Sequence, residues 1–395
     1  MERATWLVTP DQQHGFSAPA HGDCAPTRRC PLAAGTLGYF GLVFIVALCY
    51  AALRFTYNFT VGSTWQEIYD LAIAVPFGNR ILVPVLSRPL AWAGWSLYRT
   101  YQFWEVVSAC LLMWGLARVF RLFVEDRWAR LLSIGIAYAL VMVFLLFNSL
   151  SFLYPWDTPA MAFVVWGLYF LLRGNWAATV FLLLAATLNR ESAILVPLLF
   201  AVLYADRLPW KRFVLLLLAL AGSYGLARYA VNLTTADNIG AGQFRQMSLV
   251  EDGTWRVNNN VAWLMLEKKN LLVLLATLAG LPAAFLALFR WIPRHLRRIG
   301  PVALAYFAML FFIGNVEESR IYGEITCLLY VAVAVGGYRF LTDRECAETG
   351  CLYRRLPPTA LATPARHLLA WSPAIMIAFS MALYGVLNYW LGVPR

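Results

Sequence analysis

The sequence predicts an all-α fold, a polytopic transmembrane bundle of roughly eleven helices. Three observations predict it. Of 395 residues, 61% are hydrophobic and 13% charged, about half the charge share of a soluble domain. The apolar residues stand in long runs separated by short Arg-rich strings. The 16 Trp and 19 Tyr suit the membrane–water boundary, where amphipathic rings settle. A soluble chain of this length would split its core into domains. In lipid each backbone polar group bonds within its own helix, so one embedded body suffices.

Residues 1–36 are rich in Pro, Gly, Ala and polar types and carry no apolar period, which predicts a disordered cytoplasmic tail. The first apolar run begins too late for a signal peptide. Arg28 and Arg29 precede that run and make it a signal anchor. From 37 to 391 the chain reads as one transmembrane domain. Its expected spans are 37–54, 102–122, 131–148, 158–173, 176–189, 192–205, 212–231, 270–290, 299–314, 321–340 and 368–391.

Alternate connectors carry the basic residues. They hold Arg118, Arg121, Arg127 and Arg130; Arg173; Arg207, Lys211 and Arg212; Arg290, Arg294, Arg297 and Arg298; and, in 341–367, Arg344, Arg354, Arg355 and Arg366. The positive-inside rule places these in the cytoplasm, with the N-terminus inside and the C-terminus outside. The net charge of +11 therefore reads as topology and attraction to anionic lipid, not as a nucleic-acid footprint. Among the outer connectors, 55–101 is long. Its 80–99 stretch is apolar but broken by Arg80, Pro84, Arg88 and Pro89, which predicts a helix lying at the interface. The connector 232–269 is polar and Asn-rich.

Cys49, Cys110 and Cys327 lie in apolar runs, and Cys24, Cys30, Cys346 and Cys351 in polar segments expected in the reducing cytoplasm. The spacing of Cys24, Cys30, His14 and His21 is poor for zinc.

Five charged groups fall at the expected outer helix ends, from distant parts of the chain. They are Glu67 and Asp70, followed by 76–80 with Arg80; Asp157; Asn189-Arg190-Glu191; Glu317, Glu318 and Arg320; and Glu324. Bland readings exist for each. Asp157 suits a helix N-cap, Glu317 and Arg320 suit an i,i+3 surface pair, and Arg80 suits a snorkelling anchor. Together they suit one outward cavity. Arg forks grip phosphate bidentately, and a carboxylate beside them can take a proton from a hydroxyl. That constellation predicts chemistry on a phosphate leaving group at the outer leaflet.

The strings Pro-Phe-Gly-Asn-Arg-Ile-Leu-Val-Pro (76–84), Trp-Asp-Thr-Pro-Ala (156–160), Leu-Asn-Arg-Glu-Ser (188–192) and Glu-Ser-Arg-Ile-Tyr (318–322), on this span pattern, are similar to a group of bacterial membrane proteins near the GT-C class. The chain resembles that class of membrane glycosyltransferases over most of 37–391. The resemblance implies a multi-pass inner-membrane enzyme of the cell envelope. It would transfer a hexosyl or pentosyl group from a polyprenyl-phosphate sugar to a glycan, lipid or protein acceptor. It implies Asp70 as catalytic base with Glu67 next, and Asp157 supporting the acceptor or a divalent cation. Arg80, Arg190 and Arg320 would hold the donor phosphate, with Asn189, Glu191, Glu317 and Glu318 supporting. The first loop carries Glu-x-x-Asp where the class commonly has adjacent or D-x-D acids. Competing expectations are a transporter or lipid flippase with an outward charged cavity, an O-antigen-type polymerase or ligase, and a scaffold subunit without chemistry.

Overall fold

The computed structural model describes residues 32–60, 63–73, 77–146, 152–235, 238, 250–251, 254–266, 268–316 and 318–342. The zinc reading at His14, His21, Cys24 and Cys30, the 341–367 loop beyond Thr342, the span 368–391 and Glu317 lie outside them. The fold is all-helical apart from a two-residue ladder pairing Val250–Glu251 with Thr254–Trp255. The chain forms two compact units, one ending at Leu42 and one beginning at Val43. The first holds the opening turns of helix α1 (Leu32–Tyr57) and the second everything else described. The helix begins inside the expected 1–36 tail, because Leu32, Ala33 and Ala34 are helix formers and lead directly into the apolar run.

Among the described residues, five helical stretches are long and apolar enough to cross a membrane: Gly35–Tyr57, Leu97–Phe120, Asp126–Leu145, Trp210–Thr234 and Ser319–Leu341. A sixth is counted if the pair Asn270–Thr277 and Leu281–Ala287, bent by 74°, is one span. Shorter apolar helices occupy Asp157–Leu172, Trp176–Asn189 and Glu191–Tyr204.

After α1 comes the short α2 (Trp65–Tyr69), closed by a capping box in which Thr64 and Glu67 bond each other's backbone N–H. A single 3-10 turn, Phe77–Asn79, precedes α3 (Leu82–Trp92). The latter is the helix expected at the interface, shorter than its 80–99 stretch. Ser96 caps the start of α4 (Leu97–Phe120), five residues before its expected span. Helices α5 (Asp126–Ile134) and α6 (Ile136–Val141) run into a π-helical turn, Met142–Leu146. Asn58 donates to the carbonyl of Phe144 in this turn, 2.9 Å away.

Next are α7 (Asp157–Leu172) and α8 (Trp176–Asn189). Gly174, at φ +66°, makes the sharp turn between them, and Asn175 caps α8 through the N–H of Ala178. A 3-10 turn, Glu191–Ile194, leads into α9 (Leu195–Tyr204), which is followed by α10 (Trp210–Thr234).

The connector expected to be a polar loop, 232–269, instead contains α11 (Arg256–Leu266). Its apolar residues Val257, Trp263 and Leu264 are half-buried, and the buried residue of the helix is Asn260, which is used structurally. Its side chain donates to the carbonyls of Phe311 and Gly314 and accepts from the N–H of Val316. The expected span 270–290 is two helices, α12 (Lys268–Thr277) and α13 (Leu281–Ala287). Ala279 and Gly280 both adopt left-handed backbone, at φ 55° and 66°, which turns the chain between them. After α14 (Arg294–Arg297), α15 (Ile299–Ile313) and α16 (Gly323–Leu341) complete the described chain.

The bundle is organised on α4, α7 and α16. Helix α7 packs against α4, α8 and α16, and α10 covers α8. The middle of α16 is apolar and buried, including Ile325, Leu328, Val331, Ala332 and Val335. The outer sides of α1 and α10 expose Leu42, Phe44, Ile45, Leu215, Leu218 and Leu226, as lipid-facing helices do. One end of the bundle gathers basic connectors. Arg298 forms a forked ion pair with Asp206 and donates to the carbonyl of Val202, while the His295 ring stacks on Phe123 at 5.2 Å. The charged site lies at the other end.

Candidate functional site

The site is built mainly where helices start and stop. It takes the last turns of α1 and α8, the first turns of α7 and α16, and the 3-10 turns Phe77–Asn79, Glu191–Ile194 and Ser319–Tyr322, with Glu105 from within α4 and Arg228 from within α10. The stretch after α1 is tied down by the N–H of Leu153 donating to the carbonyl of Phe59 at 2.9 Å. The segment bearing Arg80 is joined to the end of α8 by Ile81 N–H bonding the carbonyl of Leu188 at 3.0 Å.

At its centre is Asp157, 1% exposed. One carboxylate oxygen accepts from Arg54 at 3.0 Å, and the other lies 3.2 Å from Arg190 and 3.6 Å from Arg320. Arg54 also contacts Glu105 at 2.5 Å and the Thr158 hydroxyl at 2.8 Å. Arg190 reaches Glu324 at 3.3 Å, and Glu324 in turn accepts from Ser192 at 2.5 Å. On the rim, Arg320 pairs with Glu318 at 2.7 Å, while Arg80 and Arg228 approach Glu191 at 3.4 and 3.5 Å. Five arginines (54, 80, 190, 228, 320) face five carboxylates (105, 157, 191, 318, 324).

Beside this network stands an aromatic stack. Phe77, Tyr154 and Trp156 lie nearly parallel, with 5.0 Å between the centroids of Phe77 and Tyr154 and of Tyr154 and Trp156. The Arg320 guanidinium sits 4.5 Å from the Tyr154 centroid and 5.6 Å from that of Phe77. Arg80 sits 5.2 Å from Phe77 and 5.1 Å from Trp156. Ring faces and buried carboxylates hold these cations where water is scarce. Asn189 fixes the stack by donating to the carbonyl of Trp156 at 2.9 Å. Among the described residues, several buried donors here have no hydrogen-bond partner: Arg80 Nη1, Arg320 Nε and Nη1, and Trp156 Nε1.

The structure thus brings Asp157, Asn189, Arg190, Glu191, Arg80, Glu318 and Arg320 together. It does not bring Glu67 or Asp70 into that network. Both are exposed. Glu67 is engaged in the capping box, and Asp70 accepts from Gln66 at 2.8 Å. Neither forms an ion pair with the arginines among the described residues. Helix α2 does rest on the same aromatic body, since Ile68 packs in one apolar cluster with Tyr101, Tyr154 and Trp156. Leu71, which follows Asp70, holds φ 58°, a strained conformation for leucine. Its carbonyl accepts from Asn238.

Arg54, Glu105 and Arg228 were not anticipated as site residues. The signal was present: an ionisable residue inside an apolar run marks function or a buried partner. A divalent cation does not fit these residues. Among the described residues no three His, Cys, Asp or Glu converge on one point, and both oxygens of Asp157 face guanidinium groups. No family model and no curated protein matches this chain.

Proposed function

We propose that the chain is a multi-pass inner-membrane glycosyltransferase that takes a sugar from a polyprenyl-phosphate donor at the outer face. One observation carries this reading: Arg80 and Arg320, from segments distant in sequence, lie over one aromatic stack with N–H donors to spare. Spare, desolvated guanidinium donors at a helix-end cluster fit a phosphate, the group that gains charge as the glycosyl bond breaks.

The eleven-span topology with the N-terminus inside belongs to the same proposal. The basic connectors around Asp206, His295 and Arg298 lie at the end away from the site, so the positive-inside rule turns the site outward. The prenyl tail would lie in lipid beside the bundle. Arg80 and Arg320 would hold the phosphate, with Asp157, itself held by Arg54 and Arg190, fixing Arg320 from behind. Asp157 is poorly suited to be the base, because three guanidinium groups share its oxygens. That role falls to Asp70, which is exposed and, among the described residues, has a neutral amide as its side-chain partner. Asp70 takes the proton of the acceptor hydroxyl. The hydroxyl oxygen bonds to the anomeric carbon, and the carbon–oxygen bond to phosphate breaks with its electron pair left on phosphate.

A second reading has its own observation. The 74° break at Ala279-Gly280 and the π-helical turn at 142–146 are features of transporters with discontinuous helices. The discriminating experiment offers purified protein a panel of polyprenyl-phosphate sugars. The proposal expects donor-dependent product that disappears in Asp70→Asn and Arg190→Ala. Absence of product from every donor, with lipid moved between leaflets instead, selects transport.

A further inference from the structure

The ten charges of the network divide into two kinds by their access to solvent. Glu105, Asp157 and Glu324 are 0% exposed at their side chains; Asp157 is held through both oxygens, and Glu105 and Glu324 each through one oxygen that takes an arginine and a hydroxyl. Glu318 and Glu191 are 19% and 26% exposed. The rim acids are also held differently. Glu318 lies two residues from Arg320, just outside the 3-10 turn, and reaches only one terminal nitrogen of a guanidinium whose other nitrogens lack hydrogen-bond partners. Glu191 spans Arg80 and Arg228 at lengths beyond an ordinary charge-assisted bond.

Charge arithmetic makes this division matter. Among the described residues, with five arginines and five carboxylates, the network is neutral without any ligand. Adding a phosphate to it would bury excess negative charge, which is costly away from water. A ligand anion is therefore accommodated best if a resident carboxylate leaves. Glu318 can leave into solvent by turning its side chain, because among the described residues Arg320 is its ion-pair partner and its backbone lies outside the helix. The buried acids cannot.

We propose that Glu318, seconded by Glu191, is an exchangeable counter-ion: it occupies Arg320 until an anionic oxygen group of the lipid-linked donor displaces it. This rests on the donor-phosphate reading and adds to it a competitor built into the site. Exchange keeps Arg320 paired at each stage. It also couples donor entry to the release of an acid at the rim, a few residues beyond Gly314 and Val316, which Asn260 anchors.

The test is binding of a prenyl monophosphate to full-length protein in nanodiscs, with inorganic phosphate as a second probe. Glu318→Gln keeps the size of the side chain and can still accept one hydrogen bond, so the fold should persist; thermal unfolding checks this. The expectation is prenyl-phosphate affinity raised about three- to tenfold in Glu318→Gln, the worth of one rim ion pair, and lowered at least tenfold in Arg320→Gln. Inorganic phosphate should shift in the same directions, more weakly. Unchanged or reduced affinity in Glu318→Gln, with wild type binding normally, overturns the exchange and leaves the donor site standing. Absence of binding to every variant overturns the exchange too, and the transfer assay then decides the donor reading separately.

Discussion

Replacing Arg54 by Met tests whether the buried ion network is a single electrostatic unit. Arg54 is fully buried and contacts Glu105 at 2.5 Å, Asp157 at 3.0 Å and Thr158 at 2.8 Å. Its guanidinium also lies 4.2 Å from the Phe144 centroid. Methionine refills much of that volume but leaves Glu105 without its ion-pair partner and Asp157 with only the two arginines on its other oxygen. Breaking a buried ion pair from one side costs about 3–5 kcal/mol, mostly from the charge left behind. The expected loss is of that size. Arg54→Met with Glu105→Leu removes one charge of each sign, so the double variant should be more stable than Arg54→Met alone, with a coupling of about 2 kcal/mol or more. Reversible unfolding in mixed micelles, followed by tryptophan fluorescence, measures Arg54→Met, Glu105→Leu and the double variant against wild type. Glu318→Gln, on the rim, should cost under about 1 kcal/mol in the same assay. Additive losses in the double variant, or a rim loss equal to that of Arg54→Met, would refute the division into buried and rim charges.

Other outcomes follow from the supporting structure. Asn260→Ala removes bonds to Phe311, Gly314 and Val316. It should destabilise by about 2–3 kcal/mol and speed hydrogen exchange of residues 314–320. The hydrogen bond from Arg298 holds the Asp206 carboxyl down at about 2, below its unfolded value, so its contribution is present above pH ~4 and is lost as pH falls through about 2. Carboxyl NMR of wild type against Arg298→Gln should show Asp206 titrating higher in the variant. Burial and the nearby Arg207, Arg339 and Arg298 push His295 down to about 4. The unfolded chain then binds a proton first, so stability falls from pH ~6.5 toward pH 4. His295→Phe should flatten that part of an unfolding-against-pH profile while keeping the stack on Phe123.

Much of the fold was legible because lipid imposes long apolar helices. The run 176–189 matches helix α8 residue for residue, and 212–231 lies within α10. What stayed hidden has local causes. The bend at Ala279-Gly280 depends on two left-handed residues, one of them an alanine that carries no turn signal. Helix α11 was masked by Asn258-Asn259-Asn260, which read as loop until the contacts of Asn260 are seen. At the site, Asp157, Arg190 and Arg320 were recognisable because charges at short turns between apolar runs are conspicuous. Arg54 and Glu105 were absorbed into the runs themselves, although Arg54 is the residue that joins Glu105 to Asp157. The relation of Asp70 to the arginines depends on how α2 rests on the aromatic cluster, a tertiary matter that spacing does not encode.

The most direct measurement is steady-state transfer in proteoliposomes with a polyprenyl-phosphate sugar, comparing wild type with Arg80→Gln and Arg320→Gln. If these guanidinium groups hold the donor phosphate as it leaves, each variant loses about 10- to 100-fold in kcat/KM for donor while acceptor KM stays unchanged. Full donor efficiency in both variants, in protein that remains folded, would contradict the account.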